Sequence, residues 1–127
     1  MNSLNLSTKL KNEAEVNVTV GLFQFEENGR TIIYSPAFDL SGYGNSAEEA
    51  KTSFQITMEE FFRYTLNKKT LFKELKRLGW IIKEGKSKNR NIKIPDLANL
   101  ITENDYLAEI LNEKQFTKFD QTIAMPC

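Results

Sequence analysis

Apolar residues alternate with polar ones from residue 16 onward, which is the pattern of a β-strand with one face against a core. Val16, Val18 and Val20 take every second position in this stretch. Phe23 and Phe25 then fall on the opposite set of positions. We therefore expect the end of this first strand to be covered on both sides.

Turn residues divide the next stretch into short strands. Asn28 and Gly29 supply the positive φ values of a tight hairpin, so residues 30–35 are predicted to form the return strand. Pro36 cannot donate to a ladder of hydrogen bonds and is predicted to end that strand. Residues 38–40, in which two apolar residues flank an aspartate, are predicted to form a third short strand.

A long helix is predicted to follow, over residues 46–64. Ser46 stands at the N-cap position, and the Glu49 side chain can reach back to the Ser46 N–H in a capping box. Apolar residues then recur at spacings of three and four and are predicted to pack on the sheet. This stripe consists of Ala47, Ala50, Phe54, Met58 and Phe61.

Beyond the long helix, the pattern is weaker. Thr70 is predicted to cap a second, shorter helix, and Gly79 to end it. Residues 80–82 are predicted to form the fourth strand, at the edge of the hairpin sheet. Thr102 is predicted to cap a further helix, and residues 119–125 alternate as a terminal strand.

These elements predict an α+β fold. We expect a three- to four-stranded, mostly antiparallel sheet in the order β-β-β-α-β, with one long helix packed on a face and a small C-terminal helix–strand tail. The expected divisions are a domain over residues 1–82 with its core in 14–82, a basic linker or loop over 83–91, and a tail over 92–127. The sheet has an edge and the tail helix has a stripe too short to bury itself, so the tail should pack on the first domain or on a second copy. We therefore expect a homo-oligomer, most simply a dimer.

The amino-acid composition excludes most kinds of catalytic site. The 127 residues include no histidine and one cysteine, Cys127, which excludes a Ser-His-Asp triad, a Cys-His pair and a structural zinc site. Carboxylate chemistry with Mg²⁺ stays open, but Asp39 is the one acid inside a predicted core strand, and one acid does not make a two-metal site. We predict no catalytic residue, no metal site and no cofactor. No apolar run has the length of a membrane span and no signal peptide is evident, so a cytoplasmic protein is expected.

Charge is balanced overall, with 17 basic and 17 acidic residues, so nucleic-acid binding would need a local patch. Residues 83–91 are the one clear concentration of positive charge. They form either a solvated loop or a basic arm for phosphate contacts, in which Lys86, Lys88 and Arg90 would bind nucleic acid.

A family resemblance appears in the segment Pro-Ala-Phe-Asp-Leu-Ser-Gly at residues 36–42, followed by the cap Gly-Asn-Ser-Ala-Glu-Glu-Ala at 44–50 and the long helix. This order resembles the HicB-type antitoxin domain of bacterial toxin–antitoxin pairs, over residues 18–80. The resemblance implies a non-catalytic antitoxin, or an orphan module, that binds and blocks a small mRNA-cleaving toxin of the HicA type. It also implies a contact surface on the strand edge and corner, formed by Tyr34, Phe38, Asp39, Leu40 and Tyr43.

The chain departs from the family at its C-terminal end. Family members commonly carry a ribbon-helix-helix or helix-turn-helix domain that binds operator DNA. Here the ribbon-like residues 92–95 lead into short, acidic helices, and the chain closes on a strand. Regulation through nucleic-acid binding by the segment 83–91 is therefore the alternative hypothesis.

Overall fold

The computed structural model describes residues 15–84 and 90–126. Its strands and helices follow in one series along the chain. They are β1 (Glu15–Glu27), β2 (Arg30–Ser35), β3 (Leu40–Gly44), α1 (Ala47–Lys68), α2 (Leu71–Arg77), β4 (Ile81–Glu84), β5 (Arg90–Lys93), α3 (Leu97–Glu103), α4 (Asp105–Glu113) and β6 (Phe116–Pro126).

The predicted α+β fold is confirmed: four antiparallel strands form a sheet in the order β3-β2-β1-β6, and the long helix α1 packs against it. The strand predicted at residues 80–82 forms, but its predicted place at the edge of the hairpin sheet was wrong. The segment around residues 80–82 gives β4, which pairs with β5 in a separate two-stranded sheet. β6 lies beside β1 along residues 15–25, and β2 lies on the other side of β1 along residues 23–27. β6 has 11 residues and is long enough for this pairing, whereas β4 has four.

The first hairpin is confirmed. Asn28 and Gly29 have φ values of 55° and 78°, and Glu27 pairs with Arg30 directly across the turn. Left-handed backbone at both central residues matches the right-handed twist of the strands, which is why this dipeptide favours a two-residue turn.

The third strand begins later than predicted. Residues 36–39 form a turn, with Asp39 at a φ of 55°, and β3 starts at Leu40. Gly42 and Gly44 therefore lie inside β3. A Cβ on Gly42 would stand 2.2 Å from the Phe54 nitrogen. The absent side chain lets the α1 backbone lie directly on β3.

Ser46 caps α1 as predicted, and its Oγ accepts from the Glu49 N–H at 3.2 Å. The return bond differs by one residue, since Glu49 Oε1 accepts from the Asn45 N–H at 2.8 Å. The buried stripe also differs. It consists of Ala50, Phe54, Met58, Phe62 and Thr65. Phe62, four residues after Met58, is fully buried, and the predicted Phe61 is only partly so.

The sheet is covered on both faces, as the pattern in β1 predicted. On the first face, Val18 and Val20 pack with α1, α2 and Trp80. On the second face, Phe23 and Phe25 pack against α4. α4 is capped by Asn104 rather than by Thr102, which lies inside α3. The C-terminal segment thus supplies one strand and one covering layer of the same sheet.

Candidate functional site

Two of the five predicted contact residues are buried. Tyr34 and Phe38 each expose 2% of their surface, which removes both side chains from the outer surface of this chain. Phe38 lies in the turn before β3. The centre of its ring lies 5.8 Å from that of the Phe62 ring and 5.1 Å from that of the Trp80 ring. The sequence pattern placed Phe38 on an edge strand; the turn instead directs it into the core.

The other three lie at or near the surface. Asp39 is exposed, Leu40 is partly buried and Tyr43 is 51% exposed. The Arg30 guanidinium lies 4.4 Å from the centre of the Tyr43 ring, within the range of a cation–π interaction. The acid thus lies in the turn between β2 and β3, and the stacked aromatic ring lies near the end of β3, beside the start of β2.

A chain of hydrogen bonds fixes the Asp39 carboxylate. The Tyr34 hydroxyl donates to Asp39 Oδ1 at 2.7 Å and accepts from Asn104 Nδ2 at 2.8 Å. Asn104 Oδ1 in turn accepts from the Leu107 N–H at 2.9 Å, capping α4. Burial raises the pKa of the Tyr34 phenol; the Asn104 bond opposes that shift and Asp39 adds to it. The phenol therefore stays neutral and keeps the proton that it donates to Asp39.

Asp39 also lines a cleft of about 570 Å³ between the turn at 36–39, the end of α2 and the junction of α3 with α4. Glu103 and Asp105 bring two further exposed carboxylates to the same cleft. Among the described residues that line it, the one cation is Arg77, which already pairs with Glu74 at 3.0 Å. The described lining therefore carries net negative charge.

Sequence reasoning missed Glu103 and Asp105. They lie more than 60 residues after Asp39, and only the packing of α4 on the second face brings them near it. The available local signal was Asn104, whose side chain type favours an N-cap and so marks a helix junction.

The edge of β3 is partly closed. The Tyr43 N–H donates to Ser53 Oγ of α1 at 3.1 Å, so this backbone group already has a partner. A partner that bound here would contact side chains rather than extend the sheet.

The predicted basic segment falls largely outside the described residues. Lys86 and Lys88 lie there, as does the side chain of Arg90, whose backbone begins β5. Within the described part, Lys83 on β4 and Lys93 on β5 are exposed, while Ile82 between them faces the core. The β4–β5 hairpin therefore turns lysines outward.

Among residues 15–84 and 90–126, no three Asp, Glu or Cys side chains converge as a metal ion would require. Within the same residues, no helix is long and apolar enough to cross a membrane.

Comparison with known proteins gave no relative. No family model matches the chain, no curated protein matches it, and no solved structure matches its fold.

Proposed function

We propose that this protein is a non-catalytic binding module of the HicB antitoxin type, which blocks a small basic mRNA-cleaving toxin. Its contact surface, called here the acidic rim, consists of Asp39, Leu40, Tyr43, Glu103 and Asp105. This proposal joins the resemblance of residues 18–80 to the charge and exposure of the rim.

The fixed Asp39 carboxylate is the observation that supports the proposal most strongly. A side chain held by the Tyr34 hydroxyl loses little conformational freedom when a partner binds. Its second oxygen and the neighbouring Glu103 and Asp105 are suited to the cationic side chains of an RNA-binding surface.

Tyr43 adds an apolar contact at the other end of the rim. It lies four residues beyond Asp39 and keeps half of its surface exposed. Exposed tyrosines beside a rigid backbone are common anchors of protein interfaces, because the ring buries a large area and has few rotamers.

The test is whether the neighbouring reading frame encodes a small basic protein and whether that protein forms a complex with this chain, measured by calorimetry. The variant Asp39→Asn, Glu103→Gln, Asp105→Asn removes three charges and keeps the side-chain shapes. Asparagine also tolerates the left-handed backbone at position 39. We expect Kd to rise at least about tenfold, with a weaker salt dependence.

The matched control is Glu15→Gln, Glu60→Gln, Glu113→Gln, which removes the same charge from exposed positions that do not line the cleft. Its Kd should stay within about threefold of the original, since it removes only long-range attraction. Equal loss in both triple variants, or no complex with the unchanged protein, would refute the proposal.

One observation favours a second candidate, nucleic-acid binding by the β4–β5 hairpin. Exposed Lys83 and Lys93 flank a segment whose sequence adds Lys86, Lys88 and Arg90 against the single acid Glu84. Contacts to phosphates would give affinity that falls steeply with salt and depends little on sequence. Anisotropy of a labelled duplex tests it: affinity unchanged after Lys86→Ala, Lys88→Ala, Arg90→Ala would reject this candidate.

A further inference from the structure

β6 is the last strand in the sheet order, and no other strand of residues 15–84 and 90–126 pairs with its outer side. The strand runs from Phe116 to Pro126, 11 residues, twice the length of β3 at the opposite edge. A long outer strand offers a row of backbone N–H and C=O groups to another strand. The side chains of β6 indicate which strand would pair with its outer side.

On the second face of the sheet, β6 presents Lys118, Asp120 and Thr122, all exposed. Lys118 Nζ and Asp120 Oδ1 lie 3.0 Å apart, so opposite charges alternate along this short stretch. On the first face, the half-buried Phe119 packs against the edge of the core.

We propose that two copies of this chain pair through β6 in antiparallel fashion, about a two-fold axis at Phe119. This pairing would join two four-stranded sheets into one continuous sheet. It is independent of the proposed function, since β6 is the edge opposite to β3.

Charge selects this register. In an antiparallel pair, facing residues share one face of the sheet, so a two-fold axis falls on a residue. An axis at Phe119 sets Lys118 opposite the partner's Asp120 and Asp120 opposite the partner's Lys118. An axis at position 118 would face two lysines, and an axis at position 120 would face two aspartates. Like charges directly opposite each other destabilise a strand pair.

The remaining pairs fit as well. The Phe119 rings of the two copies would face each other on the first face, and aromatic cross-strand pairs stabilise sheets. On the second face, Phe116, 37% exposed, would face the partner's Thr122. The paired stretch would extend over residues 116–122 of both copies.

Charge reversal in the 127-residue chain tests the proposal, with the molecular mass in solution measured by sedimentation equilibrium. We expect the unchanged protein to dimerise, and Lys118→Asp or Asp120→Lys alone to raise the dimer Kd at least about tenfold, because each gathers four like charges at the axis. The double variant Lys118→Asp, Asp120→Lys should return the Kd to within about threefold of the original, because the pairs are restored with reversed sign. Both positions are exposed and away from the core, so thermal unfolding should show folded protein in every case.

Disulfide cross-linking tests the register of the strand pair directly. In a Cys127→Ser background, which removes the only native cysteine, the Lys118→Cys and Asp120→Cys variants are prepared separately and then mixed under oxidation. Because positions 118 and 120 of opposite copies face each other, the mixture should form an interchain disulfide and each variant alone should not.

Three results would overturn the proposal. They are a monomer at every concentration, a dimer whose Kd no single reversal changes, and a double variant as weak as the single ones. None of these measurements includes a toxin or a nucleic acid, so their outcome is separate from that of the proposed function.

Discussion

The two edges of the sheet are built in opposite ways. At one edge, β3 has five residues, two glycines let α1 lie against it, and Ser53 accepts from the Tyr43 N–H. At the other, β6 has 11 residues and, within the described part of the chain, strand contacts on one side only. A closed edge can bind through side chains alone, whereas an open edge can bind through its backbone. The two surfaces are therefore suited to different partners, and the charge-changing variants above test each of them.

The largest expected effect comes from a side chain added at the closed edge. In Gly42→Ala, the new Cβ would meet the Phe54 nitrogen at 2.2 Å and its Cα at 2.5 Å, and helix backbone cannot move aside without displacing α1. We expect a loss of about 3 kcal/mol in the free energy of unfolding, measured by urea denaturation.

The matched control lies beside the open edge. In Gly21→Ala, the new Cβ would meet the Lys118 side chain, at 3.0 Å from its Cε, and that flexible chain can move. We expect a change within about 1 kcal/mol, of either sign, because alanine restricts the unfolded chain. Equal losses at the two glycines would contradict the contrast between the edges.

A smaller effect is expected from the bond that holds the acidic rim. Tyr34→Phe leaves Asn104 Nδ2 and Asp39 Oδ1 without the hydroxyl between them, and we expect a loss of about 1 to 2 kcal/mol in unfolding free energy. Tyr64→Phe, at a ring 62% exposed, is the control and should change stability little. A Tyr34→Phe protein as stable as the original would show that the hydroxyl chain does not stabilise the turn.

The same variant carries a pH dependence. Burial raises the pKa of Tyr34 above the ordinary tyrosine value of about 10. The neutral phenol stabilises the fold fully while the pH is below the ordinary pKa, which is that of the unfolded chain. The stabilisation is lost as the pH rises through the raised pKa of the folded protein, because Tyr34 ionises first in the unfolded chain. The stability advantage over Tyr34→Phe should therefore shrink above a pH of about 10. Tyr106, whose pKa burial also raises, is present in both proteins, and its ring centre lies 4.9 Å from that of Tyr34.

The smallest expected effect is at Ser53. In Ser53→Ala, the Tyr43 N–H at the exposed edge loses its partner and binds water instead. We expect a loss of about 0.5 kcal/mol, together with faster hydrogen exchange at the Tyr43 amide. Unchanged exchange at that amide would mean that α1 does not close the edge.

The sequence by itself determined the local elements. Asn28 and Gly29 fix a hairpin and Ser46 fixes a helix start, because each depends on backbone geometry or bonds within a few residues. The alternation in β1 also determined that both faces of its end would be covered, as Phe23 and Phe25 are by α4. These features could be predicted because each one depends on residues that lie close together in the sequence.

Only the tertiary structure decided which strand became the fourth and which residues form the candidate site. β4 and β6 both have strand patterns, but only β6 is long enough to pair with residues 15–25 of β1. Likewise, Phe38 enters the core on the first face, where it packs against Phe62 and Trp80. Glu103 and Asp105 join Asp39 because α4 packs on the second face near the turn at 36–39. Contacts between residues far apart in the chain depend on how whole faces of the sheet and helices pack. They therefore cannot be predicted from a short stretch of sequence.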